Sequence, residues 1–387
     1  MRKLRALLFP LILLLAGCGG AAAPAASSAP PASPVGQPNT ASAAAASKPA
    51  AGSSASASSK PAGSSVAAAK PSGSAEAAAS IAPAKPGQLI AAYSEIVTSN
   101  LPMWAAKEAG IYQKNGLDVD VRLIESSLVV GALLSGQVQV GGVGGSETLA
   151  AAVNGGDLKI LATTTPVYPY KLEVTKDIQT PQDLKGKKVA ISRVGSSSDV
   201  ATRAGLKKLG LDPDKDVSII QVGSLQARTA AMQSGAVQAS MANPPDTLTL
   251  EDAGFHPLVD LAQLSLPASN NGIVVQGSWL AGHRDEAQKI IDSNVEAIAR
   301  VKKDKPFALQ VMQKYLKIDD QHKLNAAYDY WVGTTMPDLP YPKAEQFTDS
   351  VAVIAEKNPA AKNYDLNKLL DPSFVQSAAD RGVNKAS

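Results

Sequence analysis

Small polar residues recur just after the short apolar runs of this chain, and their types suit binding better than bond-breaking. After QLIAAY come Ser94, Glu95 and Asn100; after LDVDVRLIE come Ser126 and Ser127; after QVQVGGV come Gly144, Gly145, Ser146 and Glu147. A second series follows VAIS: Arg193, Ser196, Ser197 and Ser198, then Gly223 and Ser224, then Asn243. Hydroxyls and glycines at a strand-to-helix junction let backbone N–H groups approach a solute closely. The same residue types also serve as ordinary helix caps. Arg193 carries a guanidinium fork that suits a carboxylate, sulfonate or phosphonate. Glu147 complements the dipole of its own helix. If it or Glu95 faces a cleft, a cationic or zwitterionic solute is favoured instead. Tyr168 and Tyr170, in TTPVYPYK, are candidates to cover an apolar part of a ligand.

Catalytic signatures stop short of completion. GGVGGS lacks the Lys-Ser/Thr of a phosphate loop, and G-x-G-x-x-G fails because its sixth place is Glu147. The run Gly144-Gly145-Ser146-Glu147-Thr148 approaches the hydrolase elbow G-x-S-x-G but ends in Thr148. His256, His283 and His322 have no metal-ligand spacing, and His256 and His283 read as exposed loop residues. A secreted hydrolase using Ser146 is therefore only an alternative. No catalytic residue, metal or cofactor is expected.

The elements that must position these residues come in two similar passes. From residue 88 the order is strand, helix, strand, helix, strand, helix, strand, with Gly, Pro and Asn-Gly as stop signals. From KKVAIS the order repeats. Ser135-Gly136-Gln137-Val138-Gln139 in the first pass returns as Ser234-Gly235-Ala236-Val237-Gln238 in the second, each time where a helix hands over to the third strand. Such alternation implies two mostly parallel sheets flanked by helices. DEAQKIIDSNVEAIARVKK and KPFALQVMQKYLK are helical by periodicity, and DRGVNKAS reads as a ragged end.

The N-terminal part differs. MRKLR is a charged leader, and the apolar run from Leu4 to Leu15 is too short to span a bilayer. With Leu15-Ala16-Gly17-Cys18 it reads as a lipoprotein signal peptide, 1–18, ending at a lipidated Cys18. The cysteine is the single one of the chain, so internal disulfides and Cys-rich zinc sites are excluded. Residues 19–86 are almost entirely Ala, Ser, Pro and Gly with a few Lys and few large apolar side chains, the composition of a disordered tether. From Gly87 onward there are 30 basic and 33 acidic residues, with no electrostatic footprint for nucleic acid.

Several stretches together carry a resemblance: PMWAAKEAGIYQKNGLDVDV, ALLSGQVQVGGVGGSETLAAAVNGG, DLKGKKVAISRVGSSSDVATRAGLKKLGLDPDKDV, AAMQSGAVQASMANPP and SWLAGHRDEAQKII. In this ordered series, residues 88 to 360 resemble solute-binding proteins of ABC importers, in the nitrate/sulfonate/taurine-type branch. That branch is related in fold to the thiamine-pyrimidine-precursor synthases. The synthases' cysteine-rich motif and substrate-like histidine have no counterpart after Cys18, so that activity is not expected.

The resemblance implies an α/β, two-lobed periplasmic-binding-protein type II fold. Lobe one would hold 87–175 and 275–387, and lobe two 176–274, with LEVTKDI and NGIVVQG as crossovers. The implied protein is a monomer anchored outside the cytoplasm. It would bind a small solute in the cleft and pass it to a permease served by a separate ATPase; the alternative partner is a membrane receptor in sensing.

Overall fold

The computed structural model describes residues 81–385. The leader with Cys18 and most of the 19–86 segment lie outside the described residues. The final stretch of that segment packs on the folded part. Ile81 and Ala84 lie against the core of the first sheet, and Arg122 donates to the carbonyl of Ala82.

Among the described residues ten strands form two sheets of five. They are β1 Leu89–Tyr93, β2 Val119–Leu123, β3 Val140–Val143, β4 Leu158–Val167, β5 Lys171–Val174, β6 Lys188–Ile191, β7 Ser218–Gln221, β8 Ala239–Ala242, β9 His256–Asp260 and β10 Pro267–Gln276. The first sheet has the order β2-β1-β3-β10-β4 and the second β7-β6-β8-β5-β9. In each, the fourth strand is the one that runs antiparallel, and it is contributed by the chain crossing from the other side. The remaining strands are parallel, as the alternating pattern requires. The sheets are thus mixed, with one reversed strand apiece.

The duplicated Ser-Gly-x-Val-Gln does one job twice. Gly136 and Gly235 both take the left-handed backbone that closes a helix, each with φ +75°. Val138 and Val237 then bury fully. The side-chain oxygen of Gln139 accepts the N–H of Ile90 at 3.0 Å, and its amide donates to Gly136 O at 2.9 Å. Gln238 repeats both contacts, on the N–H of Lys188 and on Gly235 O, each at 3.2 Å. In each sheet the glutamine satisfies an N–H at the start of the second strand, β1 or β6, which would otherwise lack a partner there.

Some expectations are corrected. LEVTKDI and NGIVVQG are not crossovers. Leu172–Val174 lies inside the second sheet, and the second segment lies in β10 of the first. The chain instead passes between the sheets at residues 168–170 and 261–266, and we propose the lobe boundaries there. His256 opens β9, opposite Val174, rather than a loop. The C-terminal end is tied down, because Arg381 donates to Asp292 at 2.7 Å.

Helices after β10 buttress the first sheet. In Arg284–Lys303, Ala287, Ile290, Ile291, Val295, Ile298 and Val301 recur at helical spacing and bury against the helix Leu101–Glu108 and its neighbours. The second sheet carries an anomaly. Glu173 in β5 is fully buried, and neither carboxylate oxygen has a hydrogen-bond partner. Burial, with Glu251 nearby, pushes its acid up to about 8.

Candidate functional site

The site is built from the ends of the parallel strands. Ser94, Gly144, Ser192 and Asn243 are the residues directly after β1, β3, β6 and β8, and all four line one cavity between the two lobes. This is the edge at which open α/β sheets bind ligands. The inner compartment is small, about 40 Å³. Its wall also includes Glu95, Asn100, Ser126, Glu147, Ser197 and Ser198, with Tyr170 and Trp331 as aromatic sides. An outer compartment of about 210 Å³ shares Ser94, Glu95, Ser126 and Ser192, and adds Glu125, Arg193, Gln221, Gly223 and Ser224.

The carboxylate of Glu147 links the two lobes across this cavity. Glu147, from the helix Gly145–Val153, accepts the backbone N–H of Ser197 at 3.3 Å and its hydroxyl at 3.1 Å. Ser197 is the first residue of the helix Ser197–Lys208 on the opposite lobe. Glu147 therefore complements the dipole of that facing helix rather than only its own. Arg193 Nη2 lies 3.7 Å from the same carboxylate and 3.5 Å from Ser126 O. Gly144 leaves room for the arrangement: a Cβ there would stand 2.1 Å from Glu147 Oε2 and 2.2 Å from Ser197 Oγ.

Of the residues named from the sequence, Ser94, Glu95, Asn100, Ser126, Ser197 and Asn243 come together in the inner compartment, and Arg193 in the outer one. Ser146, Tyr168, Ser196 and Gly145 are placed elsewhere. Ser146 is buried with its hydroxyl 2.8 Å from that of Ser350. Tyr168 donates to Asp349 at 3.0 Å, and burial together with that carboxylate raises its pKa. Ser196 is the N-cap of the helix Ser197–Lys208, accepting the N–H of Asp199. Gly145 abuts β10. Ser127 is the second residue of the helix Ser126–Leu134.

Gly145 is a packing position. A Cβ there would meet Ser269 Cβ at 2.4 Å and the Ser269 carbonyl oxygen at 2.8 Å. Gly145→Ala should lower stability by about 1–3 kcal/mol through overpacking. A reduced denaturant midpoint at unchanged slope is the expected measurement.

Ser192, Asn270, Asn271 and Trp331 were not named from the sequence. Ser192 is one residue ahead of Arg193, so the strand end could have marked it. Asn270 and Asn271 belong to β10, whose role as the reversed strand is a tertiary fact. Trp331 opens a π-helical turn, Trp331–Thr335, and donates its indole N–H to Pro244 O at 2.9 Å. No local pattern connects that tryptophan to a cleft formed far earlier in the chain.

The electrostatics follow from burial. Glu95 is raised first by desolvation and partly brought back by Arg228, with Glu147 raising it further and Arg193 lowering it. Arg228 is itself 2% exposed and donates to Gly223 O at 2.8 Å. Burial also pushes up the Tyr170 hydroxyl, and the charge of Glu95 adds to this.

Residues 97–304, more than half of the chain, match the family described as NMT1/THI5 like. The chain belongs to that family. This NMT1/THI5-like protein is 33% identical over 119 residues to a binding protein of Brucella abortus (strain 2308), covering 30% of this chain and 36% of that one. Over 162 residues it is 30% identical to the taurine-binding periplasmic protein of Escherichia coli (strain K12), covering 41% and 49%. The match thus spans less than half of the length of these curated relatives. Among solved structures, the alkanesulfonate-binding protein SsuA from Xanthomonas axonopodis pv. citri, bound to MOPS, superposes with a TM-score of 0.58 at 20% identity. That likeness covers 76% of this chain and 98% of the other. It bears on the fold alone, which is the two-lobed periplasmic binding protein fold.

Proposed function

We propose that this NMT1/THI5-like protein is an extracytoplasmic solute-binding protein. It captures a small solute between its lobes and delivers it to an ABC importer powered by a separate ATPase subunit. The observation that carries this reading is the interlobe cavity, walled by residues from both lobes at the carboxyl ends of their parallel strands. Polar groups converging from two bodies give a solute a reason to hold them together. The names of the relatives, taurine-binding and alkanesulfonate-binding, support the same class of work.

The reading includes no catalysis and no cofactor. Ser146 is spent on Ser350 in the interior, which argues against its use as a nucleophile. Among the described residues no helix is long and apolar enough to cross a membrane, and none form a His/Cys/Asp/Glu group suited to a metal. We further propose that a lipid on Cys18 attaches a monomer to the membrane through the 19–86 segment. Two or three acyl chains would hold it firmly, at about 0.8 kcal/mol per buried methylene.

The test is native mass spectrometry of the chain purified gently from cells, followed by titration with closure read by small-angle scattering. A discrete added mass lost on denaturation, and compaction on adding that solute, are expected. Absence of both across sulfonates, nitrate, carboxylates and amines would reject the reading.

A further inference from the structure

The inner compartment contains acceptors in search of donors. The Oδ1 of Asn243, a residue 4% exposed, is buried in the cavity wall without a hydrogen-bond partner. The Oδ1 of Asn270, also in the wall, is in the same condition. The carboxylate of Glu95 lines both compartments. A buried acceptor left without a donor costs about 1–3 kcal/mol, and such groups in native structures call for an explanation.

The natural anion seat of the site is already occupied. The N-terminus of the helix Ser197–Lys208 would draw a negatively charged group, and Glu147 of the chain itself supplies it. Arg193 Nη2 stands 3.7 Å from the same glutamate, and its Nε, at the wall of the outer compartment, is a buried donor without a partner. Arg228, the buried counter-charge to Glu95, is not among the residues lining either compartment. The inner space is lined by two glutamates, by asparagines and serines, and by Tyr170 and Trp331.

We propose that the inner compartment is a seat for a primary ammonium group, with the rest of the solute extending into the outer compartment. This rests on the solute-binding reading and assigns the ligand's chemical class. A primary ammonium has three N–H donors and no acceptor. Those donors suit the carboxylate of Glu95 and the unpartnered oxygens of Asn243 and Asn270. A quaternary ammonium has no N–H to give them. Aromatic walls favour a cation over an anion. The outer compartment, with Arg193 at its wall, leaves room for a second polar group, so a zwitterion fits as well as a simple amine.

The experiment compares three solutes of one shape on the full chain by calorimetry. Taurine carries ammonium and sulfonate, ethanolamine carries ammonium and hydroxyl, and isethionate carries hydroxyl and sulfonate. Ethanolamine and taurine should each bind roughly tenfold or more tighter than isethionate, the ratio a charge-assisted hydrogen bond provides. Glu95→Gln should remove that advantage and leave isethionate unchanged, with thermal unfolding as the control for folding.

Isethionate binding as tightly as ethanolamine, or no binding of either amine at millimolar concentration, overturns the ammonium seat. If alkanesulfonates or nitrate then bind and close the lobes, the solute-binding reading survives without it. If nothing in the panel binds, both fall.

Discussion

Glu173→Gln should stabilise the protein at pH 9 by about 3–5 kcal/mol and leave it nearly unchanged at pH 5. The carboxyl lies in the interior strand β5, fully buried and without a partner. Lys171, two residues away on the same strand, is paired with Glu251 at 3.1 Å instead. Burial comes first and Glu251 second in raising the acid to about 8 from an ordinary 4.5, with Asp260 adding and Lys171 opposing. Between those two values the folded chain holds a proton that the unfolded chain has released. Stability therefore falls as pH rises from about 4.5, and the loss is complete above about 8. Glutamine keeps the shape of the protonated acid and has no charge to bury. Denaturant melts at pH 5, 7 and 9 measure the effect. Parallel pH profiles for the variant and the parent would show that the carboxylate is solvated or paired in solution.

Glu147→Ala should loosen the closure of the two lobes, with Trp331–Pro244 and Lys323–Asp252 still bridging them. The carboxylate gives the N–H and hydroxyl of Ser197 their acceptor across the cleft and holds Arg193 beside them. Hydrogen bonds to a charged group contribute about 1.5–3 kcal/mol each. Losing both should move the closed-to-open equilibrium of the solute-free protein by roughly two to four orders of magnitude. A larger radius of gyration by small-angle scattering is expected, with faster amide exchange at Ser197. The vacated helix N-terminus should also gain affinity for sulfate or simple sulfonates, because nothing then competes for its N–H groups. Unchanged dimensions together with unchanged anion affinity would mean that Glu147 does not hold the lobes.

Much of this architecture is local in origin, and so it was legible in the residues. Strand and helix order follow from apolar runs and from stops such as Gly136 and Gly235, whose left-handed backbone few other residues adopt easily. The duplicated Ser-Gly-x-Val-Gln announced two lobes because each copy performs a contact within one lobe, on Ile90 or on Lys188. Residues just after the parallel strands, Ser94, Gly144 and Asn243, were identifiable for the same reason: a strand's end is set by its own sequence.

Tertiary structure alone decided which candidates share a space. Ser146 and Tyr168 have the right types beside the right strands, yet Ser350 and Asp349 take up their hydroxyls. Both partners arrive from a helical region some two hundred residues later in the chain. Trp331 reaches the cleft by the same long return, and Asn270 and Asn271 do so because β10 reverses into the first sheet. Glu147 shows the division most clearly. By itself the sequence determined that an acid stands in the first turn of its helix. That this acid closes on the N-terminus of a different helix, on the opposite lobe, depended on the distance between two bodies, and no periodicity along the chain encodes that distance.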